Sequence, residues 1–252
     1  MSEIELSALV VAHNEEDRIG SCLDRLSFAD EIVVVLDKCT DGTKDVAATY
    51  TDRFLEGSWD IEGERRNAGL AHCRGNWVLE IDSDEWVTEE LAASVIAATK
   101  TSRHDWHEIS VDNYIGERLV RYGWGGSFGT SAVPRLSRRG VKVWGSQRVH
   151  PSLTWHGEKG PRLAGYLIHH VDKNISDVIR RLDSYSTAKA ADMRATGNIG
   201  STANNVRRLF TRFYKCYVSR KGYKEGGYGL LIALCAGLFP LLSHLKAKLE
   251  DE

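Results

Sequence analysis

The stretch NWVLEIDSDE, running from Asn76 to Glu85, decides the fold. NWVLEI is a short apolar run of the kind that forms a buried strand, and the polar Asp82-Ser83-Asp84-Glu85 follows at once. Open α/β sheets bind ligands at the carboxyl ends of their strands. Three carboxylates in four residues repel one another unless a cation or solvent intervenes. Two readings fit: a hard divalent ion bridged to phosphates, or a solvated acidic turn that caps the next helix. Working outward, LSALVVA (6–12) and EIVVVL (31–36) have the same grammar, an apolar run ended by a polar loop. Between them, Ile19, Cys22, Leu23 and Leu26 share one helix face. Residues 44–50, 63–73 and 89–99 read as further helices, and 52–55 as a short strand. The β-α-β-α-β order predicts a parallel sheet flanked by helices.

Composition narrows the function. Of 252 residues, 42% are hydrophobic and 27% charged, ordinary globular values that exclude wholesale disorder. Lys plus Arg is 33 against 35 Asp plus Glu, a net charge of −2 that argues against a dedicated nucleic-acid binder. Five cysteines without a C-x-x-C pair argue against a disulfide framework or zinc knuckle and for a reducing compartment. The opening MSEIELSALVVAHNEE has no cationic leader before a long apolar run, so no secretory signal is expected. No G-x-x-x-x-G-K-[ST] occurs, which excludes the usual P-loop nucleotidase. LDKCT lacks the second aspartate of a haloacid-dehalogenase phosphatase.

Other candidates cluster at strand ends. Asp37 lies just past EIVVVL and can face a ligand or solvent, whereas Asp41-Gly42 reads as a turn and helix start. Ala12-His13-Asn14-Glu15 follows the first strand, so three strand ends converge on one crevice. Arg65, Arg66 and Asn67 precede the acidic strand and can meet a diphosphate or form a solvated helix face. His169-His170 ends the apolar run 163–168, where a histidine can complete a metal site or serve structure. The middle, about 107–170, clusters Gly and Trp; Trp124 is a sugar-stacking platform or a core residue. A helix is expected over 176–194, started by Ser176-Asp177, with Val178, Ile179, Leu182 and Tyr185 on one stripe.

The C-terminal part is distinctive. Seven basic residues and no acidic one lie between Ser201 and Lys224, interleaved with Phe210, Phe213, Tyr214, Tyr217 and Tyr223. Residues 226–245 contain no Asp, Glu, Lys or Arg, but glycines and Pro240 leave a usable apolar core of 228–242. That is short of the roughly 20 residues a bilayer span needs. A surface-bound amphipathic anchor fits it, as does a buried helix closing the core with a solvated basic face.

At these residues the chain resembles family 2 glycosyltransferases, and within them the bacterial lipopolysaccharide core glucosyltransferases. The resemblance is carried, in order, by LSALVVAHNEEDRIGSCLDRL, EIVVVLDKCTDGTKDVA, ERRNAGLAHCRGNWVLEIDSDEWV, PRLSRRG, RVHPSL, LIHHVDKNISDVIRRLDSYS and GYGLLIALCAGLF. It implies an α/β fold of the GT-A type, a mixed sheet flanked by helices, over residues 1–200, with a C-terminal helical appendage over 201–252. It implies a metal-dependent inverting transfer from a nucleotide-diphosphate sugar, a UDP-sugar being favoured, to a glycan or glycolipid acceptor. Ala12, Glu15, Asp37, Arg66 and Asp82 would line the nucleotide site. Asp84 and His169 would ligate Mg²⁺ or Mn²⁺, with His170 in reserve. The subgroup commonly has Val-His-Glu where this chain has Val149-His150-Pro151. Glu85 and His150 are therefore the candidates for the acceptor base. The expected location is the cytoplasmic face of the membrane, with an anionic lipid surface as partner and no nucleic acid. The Pro151 departure also motivates a second reading, a membrane-surface binding protein that keeps the fold without catalysis. A sugar nucleotidyltransferase would need a glycine-rich basic loop that VVAHNEE lacks.

Overall fold

Alternation within the apolar runs builds the sheet. In the computed structural model, which describes residues 4–125, 129–147 and 151–250, strand β1 (Leu6–Ala12) is buried on both faces. Ala8, Val10 and Ala12 pack into one core layer and Leu9 and Val11 into the other, as a period of two requires. β2 (Glu31–Asp37) and β4 (Trp77–Asp82) pair parallel to β1 on either side, and β3 (Phe54–Gly57) extends the β2 edge. The connecting helices are α1 (Glu16–Asp24), the short α2 (Thr43–Ala47) and α3 (Glu62–His72). After β4 come β5 (Glu85–Val87), α4 (Glu89–Thr101), β6 (Trp106–Ile115), β7 (Arg118–Val120), β8 (Ala132–Arg138), β9 (Lys142–Trp144), β10 (Leu153–Trp155) and β11 (Tyr166–Asp172). The sheet order is β3-β2-β1-β4-β8-β6-β11-β5, with β7 paired to β6; β9 and β10 form a separate ribbon. The first four strands are parallel and β8 returns antiparallel to β4, so the sheet is mixed.

Two compact units emerge, the first from residues 4–111, 132–147 and 151–169, the second from 112–125, 129–131 and 170–250. This differs from a division at residue 200. Helix α5 (Ile175–Ala195) packs on α7 (Gly227–Leu249), and so does α6 (Thr202–Tyr214); all three belong to the second unit. Between α6 and α7 run a π-turn (Lys215–Ser219) and a 3₁₀ turn (Gly222–Glu225). The helix α5 corrects two expectations. Its cap is Asn174, whose side chain accepts from the Asp177 N–H, and its buried row is Val178, Leu182, Ser186 and Ala190. Ile179 and Tyr185 face outward, because the row advances in steps of four residues.

α7 is a core helix of its unit. Ile232, Ala233, Cys235, Ala236 and Phe239 join one cluster with Val178, Leu182 and Trp124. Trp124 is therefore a core residue; it donates to the Val120 carbonyl. His244 near the end of α7 bonds Thr202 Oγ1 at 2.9 Å and the Ile199 carbonyl at 3.0 Å. Among the described residues α7 is the one helix long and apolar enough to cross a membrane, and 56% of its most apolar window is buried inside the protein.

Candidate active site

Backbone turns aim the strand-end loops. Two residues after β1, Asn14 has φ 54°, and directly after β2, Lys38 has φ 52°. Such left-handed residues cost energy when they are not glycine and concentrate where a chain must bend sharply. Asn14 suits the position: its Oδ1 accepts the Thr40 N–H at 2.8 Å and links the two loops. Asp41 behaves as the turn that its sequence suggests. It accepts the N–H and hydroxyl of Thr43 and the N–H of Glu16, which hold its carboxyl below the usual range.

Asp37 is the last residue of β2 and is buried. Its Oδ1 accepts the Trp59 N–H at 3.0 Å and its Oδ2 the Arg65 Nη1 at 2.9 Å. Arg65 Nε is buried with no hydrogen-bond partner among the described residues. Ala12 contributes backbone, its carbonyl facing the Cys39 thiol. Glu15 donates its N–H to Thr43 Oγ1 at 2.7 Å. Burial pushes the Glu15 carboxyl up, the charge of Asp84 adds to this, and Arg18 and Ser83 oppose it.

The acidic loop is held by arginines. Asp82 accepts Arg66 Nη2 at 2.8 Å on one oxygen and Arg135 Nη2 on the other. Burial alone would raise the Asp82 carboxyl, but the charges of Arg135 and Arg66 hold it far below the usual range. The same Arg135 nitrogen reaches Glu85 Oε1 at 2.6 Å, and Glu85 Oε2 accepts the Asp82 N–H at 3.0 Å. Asp84 is partly exposed and lies 3.4 Å from His169 Nε2. Burial would lower the His169 imidazole, but Asp84 and the neighbouring carboxylates raise it above its usual value. His169 pairs across the sheet with Glu85, so it sits inside β11 rather than at a strand end.

The model of the family described as glycosyl transferase family 2 matches residues 7–123. An uncharacterized glycosyltransferase of Rickettsia bellii (strain RML369-C) is 30% identical over 274 residues, covering 100% of this chain and 89% of the relative. The chain belongs to glycosyl transferase family 2. The lipopolysaccharide core biosynthesis glycosyltransferase LpsC of Rhizobium meliloti (strain 1021) is 26% identical over 263 residues, covering 97% of this chain and 92% of the relative. Among solved structures, S. aureus TarS matches with a TM-score of 0.50 at 14% identity; the match covers 89% of this chain and 46% of TarS. That likeness concerns the fold, which is of the GT-A type as expected.

Within this glycosyltransferase the structure brings Glu15, Asp84 and His169 into one electrostatic neighbourhood, with Asp82 and Glu85 beside them. It departs from the expected roles at two residues. Glu85 is 2% exposed and both of its oxygens are committed, so it is unsuited to acceptor base. Arg66 is likewise committed, to Asp82, to Glu62 at 2.8 Å and to the Trp144 ring at 4.8 Å. Arg65, not Arg66, lies beside Asp37. His150 lies outside the described residues. Sequence reasoning gave no role to Arg135, although PRLSRRG contains it, nor to the buried pair Glu80–Lys142 behind the acidic loop. No group of three or more His, Cys, Asp or Glu that could hold a metal is present among the described residues. A cavity of about 420 Å³ in the first unit, lined by Asp30, Glu31, Arg53 and Arg74, lies at the opposite, N-terminal strand ends.

Proposed function

We propose that this glycosyltransferase moves a sugar from a nucleotide-diphosphate donor, a UDP-sugar being favoured, to a lipid-linked glycan such as a lipopolysaccharide core. The acceptor class follows the name of the Rhizobium relative, which aligns over nearly its whole length. The observation that carries the donor reading is the meeting of Asp84, in the loop after β4, with His169 of β11, beside Glu15. Asp84 has no Lys or Arg within ion-pair distance among the described residues. A carboxylate and an imidazole make an incomplete coordination set, and that fits a hard cation which keeps several water or phosphate oxygens. Asp84 and His169 are the residues that would hold Mg²⁺ or Mn²⁺. When bound, the ion would neutralise the departing diphosphate as a Lewis acid.

The chain's own residues supply the rest. Asp37 and Arg65 offer an acceptor and a donor for the nucleotide base. Asp82 acts through its two arginines, fixing the loop that presents Asp84. The acceptor hydroxyl attacks the anomeric carbon from the face opposite the diphosphate; one bond forms as the other breaks and the configuration inverts. With Glu85 committed elsewhere, His150 is the remaining candidate to take the hydroxyl proton.

Thermal stabilisation by nucleoside diphosphates with Mn²⁺, Mg²⁺ or EDTA tests this reading. A metal-dependent shift, lost in Asp84→Asn with the unliganded melting temperature retained, is expected. At about 100 times the dissociation constant the ligand should add about 2.7 kcal/mol. An unaltered shift in Asp84→Asn would overturn the metal assignment. Nucleotide binding without turnover on any glycolipid extract would favour the non-catalytic binding protein.

A further inference from the structure

The basic segment of the second unit has no part in the chemistry above. Its seven cations are Arg207, Arg208, Arg212, Lys215, Arg220, Lys221 and Lys224. None is paired with a carboxylate among the described residues, whereas nearby Arg180, Arg181, Lys189 and Lys246 all are. Among the described residues, Arg207 and Arg208 donate to the amide oxygens of Asn204 and Asn205. Burial lowers the Arg212 guanidinium, and the like charges of Arg208 and Arg220 add to this.

The same segment exposes apolar side chains in register. Val206, Phe210, Tyr214 and Val218 recur every four residues along α6 and its π-turn, and all are exposed, Phe210 by 66% and Tyr214 by 60%. The inner face of α6 is fixed. Asn205 and Cys216 are buried, and the Leu209 carbonyl lies where a Cβ on Gly237 of α7 would come within 2.8 Å. The helix therefore cannot roll to hide its aromatic row. α7, buried in the unit core, does not offer itself as a spanning segment.

We propose that the outer face of α6, continued through Val218, docks in the headgroup plane of an anionic phospholipid surface. Phe210 and Tyr214 enter the acyl boundary, and Arg207, Arg208 and Lys215 meet lipid phosphates. Unneutralised cations flanking an exposed apolar row match that surface in both charge and polarity. Single-stranded nucleic acid would also use cations and aromatics, but it has no use for the valines of the row. The proposal goes beyond the preceding reading and does not depend on its donor chemistry.

Co-sedimentation of the full chain with vesicles tests it, comparing phosphatidylcholine alone with phosphatidylcholine carrying about 30% phosphatidylglycerol. Binding is expected on the anionic vesicles, to fall as salt rises from about 50 mM to about 500 mM, and to be reversed by alkaline carbonate as an interfacial helix requires. The variant Phe210→Ser with Tyr214→Ser should bind at least about tenfold more weakly, with circular dichroism and melting unchanged because both side chains are exposed. Equal binding by that variant overturns the proposal. So does absence of wild-type binding, displacement from vesicles by an RNA oligomer, or a concentration-dependent dimer that the double substitution abolishes. The nucleoside diphosphate shift is read on the same samples. Its loss would strike the transfer reading and leave the docking face standing.

Discussion

Lys142→Met is the most informative perturbation of the first unit. Lys142 Nζ contacts Glu80, with both side chains 2% exposed, and also donates to the Pro134 carbonyl at 3.0 Å. Glu80 Oε1 accepts Trp144 Nε1 at 2.9 Å, and the Trp144 ring lies 4.4 Å from the ammonium. Burial pushes the Lys142 amine from 10.5 down to about 8 despite the attraction of Glu80, and Arg135 and Arg66 add to the fall. That shift corresponds to about 3 kcal/mol by which burial outweighs the pairing. The pair is thus a net cost to the fold, yet removing one partner strands the other. Lys142→Met should destabilise by about 3–5 kcal/mol, whereas Glu80→Leu with Lys142→Met should return to within about 1 kcal/mol of the parent or exceed it. The pH dependence has a definite sign. The folded state sheds this proton before the unfolded state does, so between about pH 8 and 10.5 the unfolded chain binds more protons and parental stability rises with pH relative to the double variant. Urea unfolding followed by tryptophan emission, at about pH 7 and about pH 9.5, reads both effects. A single-variant loss below about 1 kcal/mol, or a fall of relative stability with pH, would refute the reasoning.

Three further substitutions probe how the site is carried. Gly63→Ala would put a Cβ 1.8 Å from the Gly145 carbonyl oxygen, so α3 must shift from the β9 end. A loss of about 1–3 kcal/mol or more in chemical denaturation is expected. Asn67→Ala removes two 2.9 Å bonds to the Trp144 backbone and should cost about 1–3 kcal/mol, read by melting. Lys38→Gly relieves a left-handed φ worth about 1 kcal/mol, set against an exposed ion pair to Asp60. A slightly higher melting temperature is expected, with nucleotide binding unchanged.

The legible parts of this molecule are those written locally. β1, β2 and β4 are continuous apolar runs, and such runs identify strands buried on both faces without knowledge of their partners. The acidic loop was legible because it follows one of them. The strands β5, β7, β9 and β10 are three residues long, too short to show a period, and β5 exists only through its distant partner β11. The apolar run before His169 reads as finished, yet His169 pairs with Glu85 of β5 and the strand continues to Asp172. On α5 both three- and four-residue spacings were present, and packing on α7 selected the second. Arg135 stands among other arginines in an unperiodic region. Its partners lie some 50 residues away, a relation that only folding reveals.

The arginine clamp on the acidic loop has a thermodynamic consequence. Asp82 and Glu85 are tied to one guanidinium nitrogen and to each other through the Asp82 N–H, closing a ring around the two residues between them. Asp84 is thus displayed, beside the buried Ser83, on a loop whose conformational freedom was surrendered during folding. A ligand arriving at Asp84 meets a stiff cradle and forfeits little chain entropy in being held. Cutting the tie at Arg135 would therefore appear in calorimetry as a larger entropic penalty for the same contacts, before any contact to the ligand had been removed.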